Sequence, residues 1–316
     1  MKAEERTIGA MLGGQKTGTF LGLPSCADLA TLEADVAILG ASCATPYPSV
    51  GPYCAGAPAA IRAAMGHYAA ALGHFDFDLG GPLLGDGEAK VVDCGDVPFD
   101  EADSAGNRDR IRAAIAAILD RGATPIVIGG DDSIPIPLFQ AFEGRGKYTL
   151  LQIDAHIDFR EEVGGERWGL SSTMRRASEF SSIDRIVEVG QRAVGSARPD
   201  DYEAALTAGV HFVSARRLHE EGIEAALDLV PEWSDVLVTL DCDALDPSIM
   251  PAVIGPAPGG LSYWQVIGLI EGVAKKARIA SFDLVEFMPA RDDSGLGALT
   301  AGRIIAHVIG LLARAG

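Results

Sequence analysis

Short apolar runs alternate along the chain with segments that have helical spacing of apolar residues. The runs are rich in Val and Ile, and several are apolar at consecutive positions, which is typical of strands buried on both faces of a parallel sheet. They predict eight strands, at residues 36–40, 90–93, 125–129, 148–154, 186–190, 210–214, 236–241 and 279–286. The clearest intervening segments predict helices at residues 111–119, 263–276 and 300–314.

This alternation predicts the class of fold. Strands that alternate with helices favour a three-layer α/β/α sandwich around a mostly parallel, doubly wound, eight-stranded sheet. No linker, repeat or low-complexity tract divides the chain. We therefore expect one domain over residues 1–316, with residues 1–30 as an N-terminal arm.

The charge balance narrows the choice of partners. The formal net charge is −18, from 44 acidic and 26 basic residues. Such a surface repels nucleic acid and anionic membranes, and it favours metal ions and cationic small molecules. Many soluble proteins are acidic without any such ligand, so the charge alone leaves both interpretations open.

Cysteine usage and the chain ends bear on the compartment. The five cysteines are an odd number without a CxxC pair, which argues against a disulfide framework and against a zinc ribbon. The first 20 residues lack the apolar run of a signal peptide. The apolar stretch 304–313 is interrupted by His307 and is too short to span a bilayer. We expect a cytoplasmic protein without membrane contact.

The first chemical motif follows the predicted strand 148–154. Asp154, His156 and Asp158 recur at every second residue, so strand alternation predicts that they share one side where the strand runs into its loop. Three potential ligands in this arrangement favour a metal half-site. An acid-capped strand end with one hydrogen-bonded histidine is the simpler alternative.

A second pair of acids ends the predicted strand 236–241. Asp241 and Asp243 again lie two residues apart. Burying two like charges side by side costs several kcal/mol unless cations neutralise them. Oxygen-rich sites of this kind suit hard or borderline divalent ions.

The third motif, Gly129 to Ser133, contains Asp131 and Asp132 directly after a strand. It does not read as a phosphate-binding loop, because no lysine follows and two carboxylates repel phosphate. Ligands of open α/β sheets bind outside the carboxyl ends of the strands. The three motifs can therefore meet in one crevice.

In chain order, residues 129–133, 154–158 and 241–247 resemble the GGDHS, DAHxD and DxDxxDP signatures of the arginase/agmatinase (ureohydrolase) family, in an agmatinase-like form. The likeness extends over nearly the whole chain. Its further parts resemble the family's GPxAIR segment, strand end, PGGLS turn, DIVEVNP strand and last helix start, at residues 56–62, 93–97, 258–262, 283–289 and 292–301.

The resemblance implies two Mn²⁺ ions, or Ni²⁺ in some members, bridged by a hydroxide that attacks a guanidinium carbon. It also implies a role for each matching residue. Asp154 and Asp241 would bridge the ions. Asp158 would bind one ion, and His156 with Asp243 the other. Asp132 occupies a further ligand position, and Glu286 would hold the guanidinium of a small cationic substrate.

Three positions depart from the family pattern. Asp132 stands where the family has a metal-binding histidine, and five aspartates against two dications leave a net charge of about −1. Leu170 stands where the family's SHGT segment has a histidine. Residues 47–51, Tyr-Pro-Ser-Val-Gly, differ from the family's substrate loop. The altered loops favour a substrate other than agmatine or arginine, such as a small guanidine or a biguanide-like cation.

Two hypotheses follow, and a third is weaker. The chain is an active amidinohydrolase with an unusual substrate, or it is a catalytically degenerate subunit that supports an active paralogue in a hetero-oligomer. The resemblance implies a homo- or hetero-oligomer, a trimer or a hexamer, in either case. A deacetylase-like hydrolase would need paired histidines near the metal, which the sequence lacks.

Overall fold

The computed structural model describes residues 17–315, and eight strands in that range form one sheet. Every pair of neighbouring strands is parallel, and the order is β2-β1-β3-β8-β7-β4-β5-β6. The strands are β1 Val36–Gly40, β2 Val91–Asp96, β3 Thr124–Ile128, β4 Tyr148–Ile153, β5 Ile183–Val189, β6 His211–Val213, β7 Asp235–Asp241 and β8 Arg278–Val285. The predicted doubly wound sheet is confirmed.

Helices cover both faces of this sheet. They are α1 Ala57–Gly66, α2 Ser104–Asp120, α3 Pro135–Ala141, α4 Thr173–Ala177, α5 Pro199–Thr207, α6 Ala215–Glu221, α7 Glu224–Leu227, α8 Tyr263–Lys276 and α9 Leu296–Arg314. One buried cluster joins the sheet to α1, α6, α8 and α9, and a second joins its other face to α2, α3 and α4. The result is the three-layer sandwich that the sequence predicts.

The predicted boundaries differ from the observed ones where polar residues belong to an element. Helix α2 begins at Ser104 rather than residue 111, because the Asp103 carboxylate accepts a hydrogen bond from Gly106 N at 2.9 Å and caps a polar first turn. Helix α8 has the predicted bounds. Ser262 and Gln265 form a capping box at its start, which stabilises that end.

Two of the sequence predictions concern the chain ends, namely the N-terminal arm and the C-terminal apolar stretch. Residues 1–16 of the predicted N-terminal arm lie outside the described residues, whereas Phe20 and Leu21 are buried in the cluster that contains α1. Helix α9 is long and apolar enough to cross a membrane by composition, but 67% of its apolar window is buried inside the fold. That degree of burial is typical of a core helix.

The sheet order explains how distant motifs meet. Strands β3, β8, β7 and β4 are consecutive neighbours, and each is followed by one of the acidic motifs or by Glu286. Because all four are parallel, their carboxyl ends lie at one edge of the sheet. The candidate site lies at that edge.

Candidate metal centre

One set of three carboxylates comes from three different strand ends. Asp132 follows β3, Asp154 follows β4 and Asp241 ends β7, and one oxygen of each lies within 4.8 Å of the others. All three residues are buried. We call this set the acidic half of the site. Asp132 Oδ2 has no hydrogen-bond partner among the described residues, which leaves a buried lone pair for a cation.

A second set shares Asp154 and adds an imidazole. Nδ1 of His156 lies 3.0 Å from Asp243 Oδ2 and 3.5 Å from Asp154 Oδ1. One ligand atom from each of these residues lies within 4.8 Å of the others. We call this set the histidine half. The two halves together contain five of the six residues that the resemblance places at metal positions.

The sixth residue, Asp158, reaches the site by a different route from the one predicted. Strand β4 ends at Ile153, and Asp158 has a positive φ of 38°, so strand alternation does not continue through this loop. The chain turns instead, and Met174 N donates to Asp158 O at 3.0 Å. The Asp158 carboxylate still lies near Asp154, since Gln152 Nε2 is 2.7 Å from Asp154 Oδ2 and 3.4 Å from Asp158 Oδ2.

Charge accumulates in the acidic half. Burial raises the pKa of Asp132 well above its usual range, and the neighbouring Asp158 and Asp154 raise it further. Burial has the same effect on Asp241, where Asp243 is the next cause of the raised pKa. A bound divalent cation reverses these shifts, because it stabilises the ionised form of each ligand. This donor set therefore fits a hard or borderline divalent ion.

Charge is compensated in the histidine half. Burial alone would raise the pKa of Asp243, but the hydrogen bond from His156 holds it below its usual value. Burial lowers the pKa of His156, and its contacts with Asp154 and Asp243 outweigh this and raise it to about 12. An imidazole beside two carboxylates can exchange its proton for a metal ion.

Glu286 lies next to the acidic half in a strained backbone conformation. It follows β8 with a φ of 66°, in the left-handed region that is costly for a residue with a long side chain. Its N–H donates to Gly130 O at 2.7 Å, and its Oε1 accepts from Asp132 N at 2.9 Å. These bonds hold the carboxylate beside the loop that contains Gly130 and Asp132. Burial raises its pKa to about 8, although the hydrogen bond from Tyr53 lowers it.

A structural Glu286 would need an arginine as its ion-pair partner, and Arg192 and Arg291 do not fill that role. Arg192 donates to backbone carbonyls, including Asp243 O at 2.6 Å and Ala257 O at 2.8 Å. Arg291 donates to Val253 O at 2.9 Å. Neither guanidinium pairs with Glu286, whose carboxylate accepts from the Tyr53 hydroxyl and from Asp132 N instead.

The two loops that depart from the family pattern pack together near the acidic half. Leu170 begins a short 3₁₀ turn, and the hydroxyl of Thr173 donates to Asp132 O. Gly169 has to be glycine, because a Cβ there would approach Cε1 of the Tyr47 ring to 2.1 Å. The segment that contains Leu170 therefore lies beside the Asp132 loop. Three other histidines, His211, His219 and His307, contact Arg185, Gly260 and Glu271 instead.

A row of buried polar residues beneath the site was missed by the sequence analysis. Glu188, Gln152, Thr239 and Asp283 are cross-strand partners on four adjacent strands, and all are buried. Burial raises the pKa of Glu188 well above its usual range and that of Asp283 to about 8. The sequence signal for this row is an isolated acidic residue inside an otherwise apolar strand. Gln152 connects this row to the site through Asp154.

Comparisons with known proteins show the family and agree with the fold. The model of the Arginase family matches residues 34–310. N(1)-aminopropylagmatine ureohydrolase from Thermus thermophilus is 36% identical over 202 residues, which are 64% of this chain and 67% of that protein. Agmatinase from Pyrococcus horikoshii is 29% identical over 291 residues, 89% of this chain and 93% of that protein.

A solved structure shows that the likeness extends to the fold. Proclavaminate amidino hydrolase from Streptomyces clavuligerus superposes with a TM-score of 0.78 at 27% identity, covering 96% of this chain and 99% of that chain. The family match spans all the motifs of the site, from Asp132 to Glu286. The chain belongs to the arginase family.

Proposed function

We propose that the protein is a metal-dependent, agmatinase-like hydrolase of a guanidine-type C–N bond. The observation that supports this most directly is the pair of ligand sets that share Asp154, with the Glu286 carboxylate held beside them by Asp132 N. The substrate is a small cationic guanidino compound or a biguanide-like cation. The acidic surface, with a net charge of −18, attracts such a ligand.

Two ions, Mn²⁺ or Ni²⁺, are the cofactors that we propose. Asp154, His156 and Asp243 would hold one of them. Asp132 and Asp241 would hold the other, together with the shared Asp154. Asp158, which shares the Gln152 amide with Asp154, would complete this second set. These two sets share Asp154 alone, whereas the resemblance implies that Asp241 also bridges the ions. Ions held there would make a hydroxide nucleophile available at neutral pH, because a bound divalent ion lowers the pKa of water.

Glu286 is the substrate-binding residue in this proposal. Its carboxylate is buried without an ion-pair partner among residues 17–315, so it can accept two charge-assisted hydrogen bonds from a planar guanidinium. Its bond to Asp132 N fixes the carboxylate next to the metal ligands. A guanidinium bound there would lie beside the proposed metal ligand Asp132.

Proton transfer is the weakest step for this chain. Leu170 occupies the loop position that carries an imidazole in the family, and its side chain has no group that moves a proton. Loss of a general acid or base typically costs about 10² to 10⁴ in rate. We therefore expect slow turnover unless the substrate supplies a better leaving group than an alkyl guanidine does.

A turnover assay tests the proposal. The purified chain is loaded with Mn²⁺ or Ni²⁺, and urea or ammonia release is measured with methylguanidine, biguanide, agmatine and arginine. Glu286→Gln should abolish release or raise KM, whereas the exposed control Glu232→Gln should match the unmodified protein. Release that is unaffected by Glu286→Gln would contradict the assigned role.

The second candidate function is a degenerate subunit of a hetero-oligomer. Asp132 and Leu170 favour it, since they change one metal ligand and remove one proton carrier. It predicts no turnover by the isolated chain with any metal, and turnover once an intact paralogue is added. The same assay separates the two functions when it is run with and without that paralogue.

Assembly and location also remain predictions. We expect a trimer or a hexamer in the cytoplasm, without contact with nucleic acid or membranes. Only 6% of the residues are aromatic, so the subunit contacts should rely on aliphatic and charged side chains. A monodisperse monomer in light scattering at micromolar concentration would refute the oligomer.

A further inference from the structure

The Glu286 carboxylate, which we assign to substrate binding, already has a hydrogen-bond partner in the same chain. The hydroxyl oxygen of Tyr53 lies 2.7 Å from both Oε1 and Oε2 of Glu286. Tyr53 is half-buried in the loop before α1, and no sequence motif points to it. In residues 17–315, the phenol and Asp132 N are the two hydrogen-bond donors to Glu286.

This position of the phenol matters for how a guanidinium can bind. A guanidinium binds a carboxylate best through two parallel N–H groups, one to each oxygen. An atom equidistant from both oxygens occupies the space in front of the carboxylate, which is the approach that this fork requires. Asp132 N also donates to Oε1 at 2.9 Å, so this oxygen already accepts a second hydrogen bond.

We propose that Tyr53 is a built-in competitor for the cation site on Glu286, and that its phenol has to leave the carboxylate before a guanidinium binds there. This inference rests on the proposed function for the class of ligand. Tyr53 then acts as a specificity-determining residue. It favours ligands whose two charge-assisted hydrogen bonds to Glu286 offset the loss of the bond from Tyr53. It disfavours cations that cannot donate hydrogen bonds.

The loop that carries Tyr53 allows this movement. Its backbone hydrogen bonds are local turns, such as Val50 N to Tyr47 O at 3.0 Å and Tyr53 N to Gly51 O at 3.0 Å. The next residue, Cys54, is fully buried and anchors the loop. We expect the phenol to leave Glu286 by side-chain rotation, while the loop keeps its attachment to the core.

Ligand binding without turnover tests this inference. The probe is methylguanidinium chloride, titrated by calorimetry into the protein and into Tyr53→Phe, with tetramethylammonium chloride as a cation that cannot donate hydrogen bonds. Tyr53→Phe should bind methylguanidinium about tenfold more tightly or better, because the competing hydrogen bond to a charged acceptor is gone. Tyr148→Phe, a buried tyrosine at the opposite end of β4, should leave the affinity unchanged.

A second measurement uses the unmodified protein, in case Tyr53→Phe does not fold. The six tyrosines are labelled with ¹³C at Cζ, and their signals are assigned with the other single Tyr→Phe variants. Methylguanidinium should shift the Tyr53 signal as the phenol loses its acceptor, and Glu286→Gln should abolish this shift. An unshifted Tyr53 signal, or equal affinity of Tyr53→Phe and the unmodified protein, overturns the inference.

These outcomes are separate from those of the turnover assay. Tighter binding by Tyr53→Phe in a chain that hydrolyses nothing would support the competitor and contradict the active-enzyme proposal. Urea release with no effect of Tyr53→Phe on binding would do the reverse. Methylguanidinium binding that survives Glu286→Gln would place the ligand elsewhere and reject the inference.

Discussion

The two halves of the candidate metal centre share Asp154 but differ in how their charge is balanced. In the histidine half, His156 lies 3.0 Å from Asp243 and lowers the pKa of that carboxyl against the effect of burial. In the acidic half, Asp132 and Asp241 face other carboxylates, and burial with these neighbours raises the pKa of both. Similar burial thus has opposite consequences within one site.

The difference can be traced to one position. The sequence resemblance implies that Asp132 stands at a histidine position of the family, which would give the acidic half one more negative charge and one fewer neutral ligand. In the histidine half, a protonated imidazole balances the charge of the two acids beside it. The acidic half needs a cation or bound protons to be stable. We therefore expect the two halves to differ in metal affinity.

The largest effect should come from the residue that both halves share. Asp154→Asn should weaken Mn²⁺ binding by about 100-fold or more, because losing even an outer partner of a ligand costs about 10- to 100-fold. Calorimetric titration and elemental analysis measure this. The exposed Asp184→Asn is the matched control and should bind like the unmodified protein. Unchanged affinity in Asp154→Asn would place the metal elsewhere.

Asp132→His should make the two halves alike, because each would then contain an imidazole. The unmodified chain should hold fewer than two ions tightly, since its five site carboxylates exceed the charge of two dications by about one. The variant should hold more metal, with affinity raised by about tenfold to 100-fold. Asp132→Asn separates the causes, because it removes the charge without adding an imidazole. Two tightly held Mn or Ni ions in the unmodified chain would contradict this prediction.

The same variant should not restore full turnover. Leu170 still leaves the site without a proton carrier, and that loss is expected to cost about 10² to 10⁴ in rate. Asp132→His with Leu170→His should therefore be faster than Asp132→His alone. Equal rates for the single and the double variant would show that Leu170 does not limit the reaction.

Sequence and structure agree where one local pattern decides the outcome. Apolar runs located all eight strands, and strand ends located Asp132, Asp154 and Asp241. The contact between Tyr53 and Glu286 joins residues 233 positions apart, and it depends on the path of a loop that no periodicity specifies. Asp158 shows the same limit, because its positive φ replaces the strand alternation from which its position was predicted.

The pH dependence of stability should expose the uncompensated acids. Burial raises the pKa of Asp283 to about 8, above the usual value of 3.8 that applies in the unfolded chain. Between these values the folded state binds more protons than the unfolded state, so stability falls as pH rises, by up to about 1.4 kcal/mol per pH unit for one such group. Chemical denaturation of the metal-free protein between pH 5 and 8 measures this.

Asp283→Asn provides the control for that slope. Its amide oxygen can still accept the hydrogen bond from Thr239 Oγ1, which lies 2.7 Å from Asp283 Oδ1, but the amide does not titrate. The variant should show a flatter decline in stability over the same pH range. An identical slope in both proteins would assign the effect to other groups.

The smallest effect is expected for the stability of Glu286→Gln, and it bears on whether this carboxylate serves the fold or the ligand. A structural glutamate paired with an arginine would leave a buried cation unpaired, at a cost of a few kcal/mol. Arg192 and Arg291 instead donate to backbone carbonyls. The glutamine oxygen can accept from Asp132 N, and its amide can donate to the Tyr53 oxygen, so both observed hydrogen-bond contacts have a replacement. The free energy of unfolding should therefore change by no more than about 1 kcal/mol.

Arg192→Met is the contrast, since it removes several hydrogen bonds at once and should cost a few kcal/mol. If Glu286→Gln proved as destabilising as Arg192→Met, Glu286 would belong to the framework of the fold rather than to the ligand site.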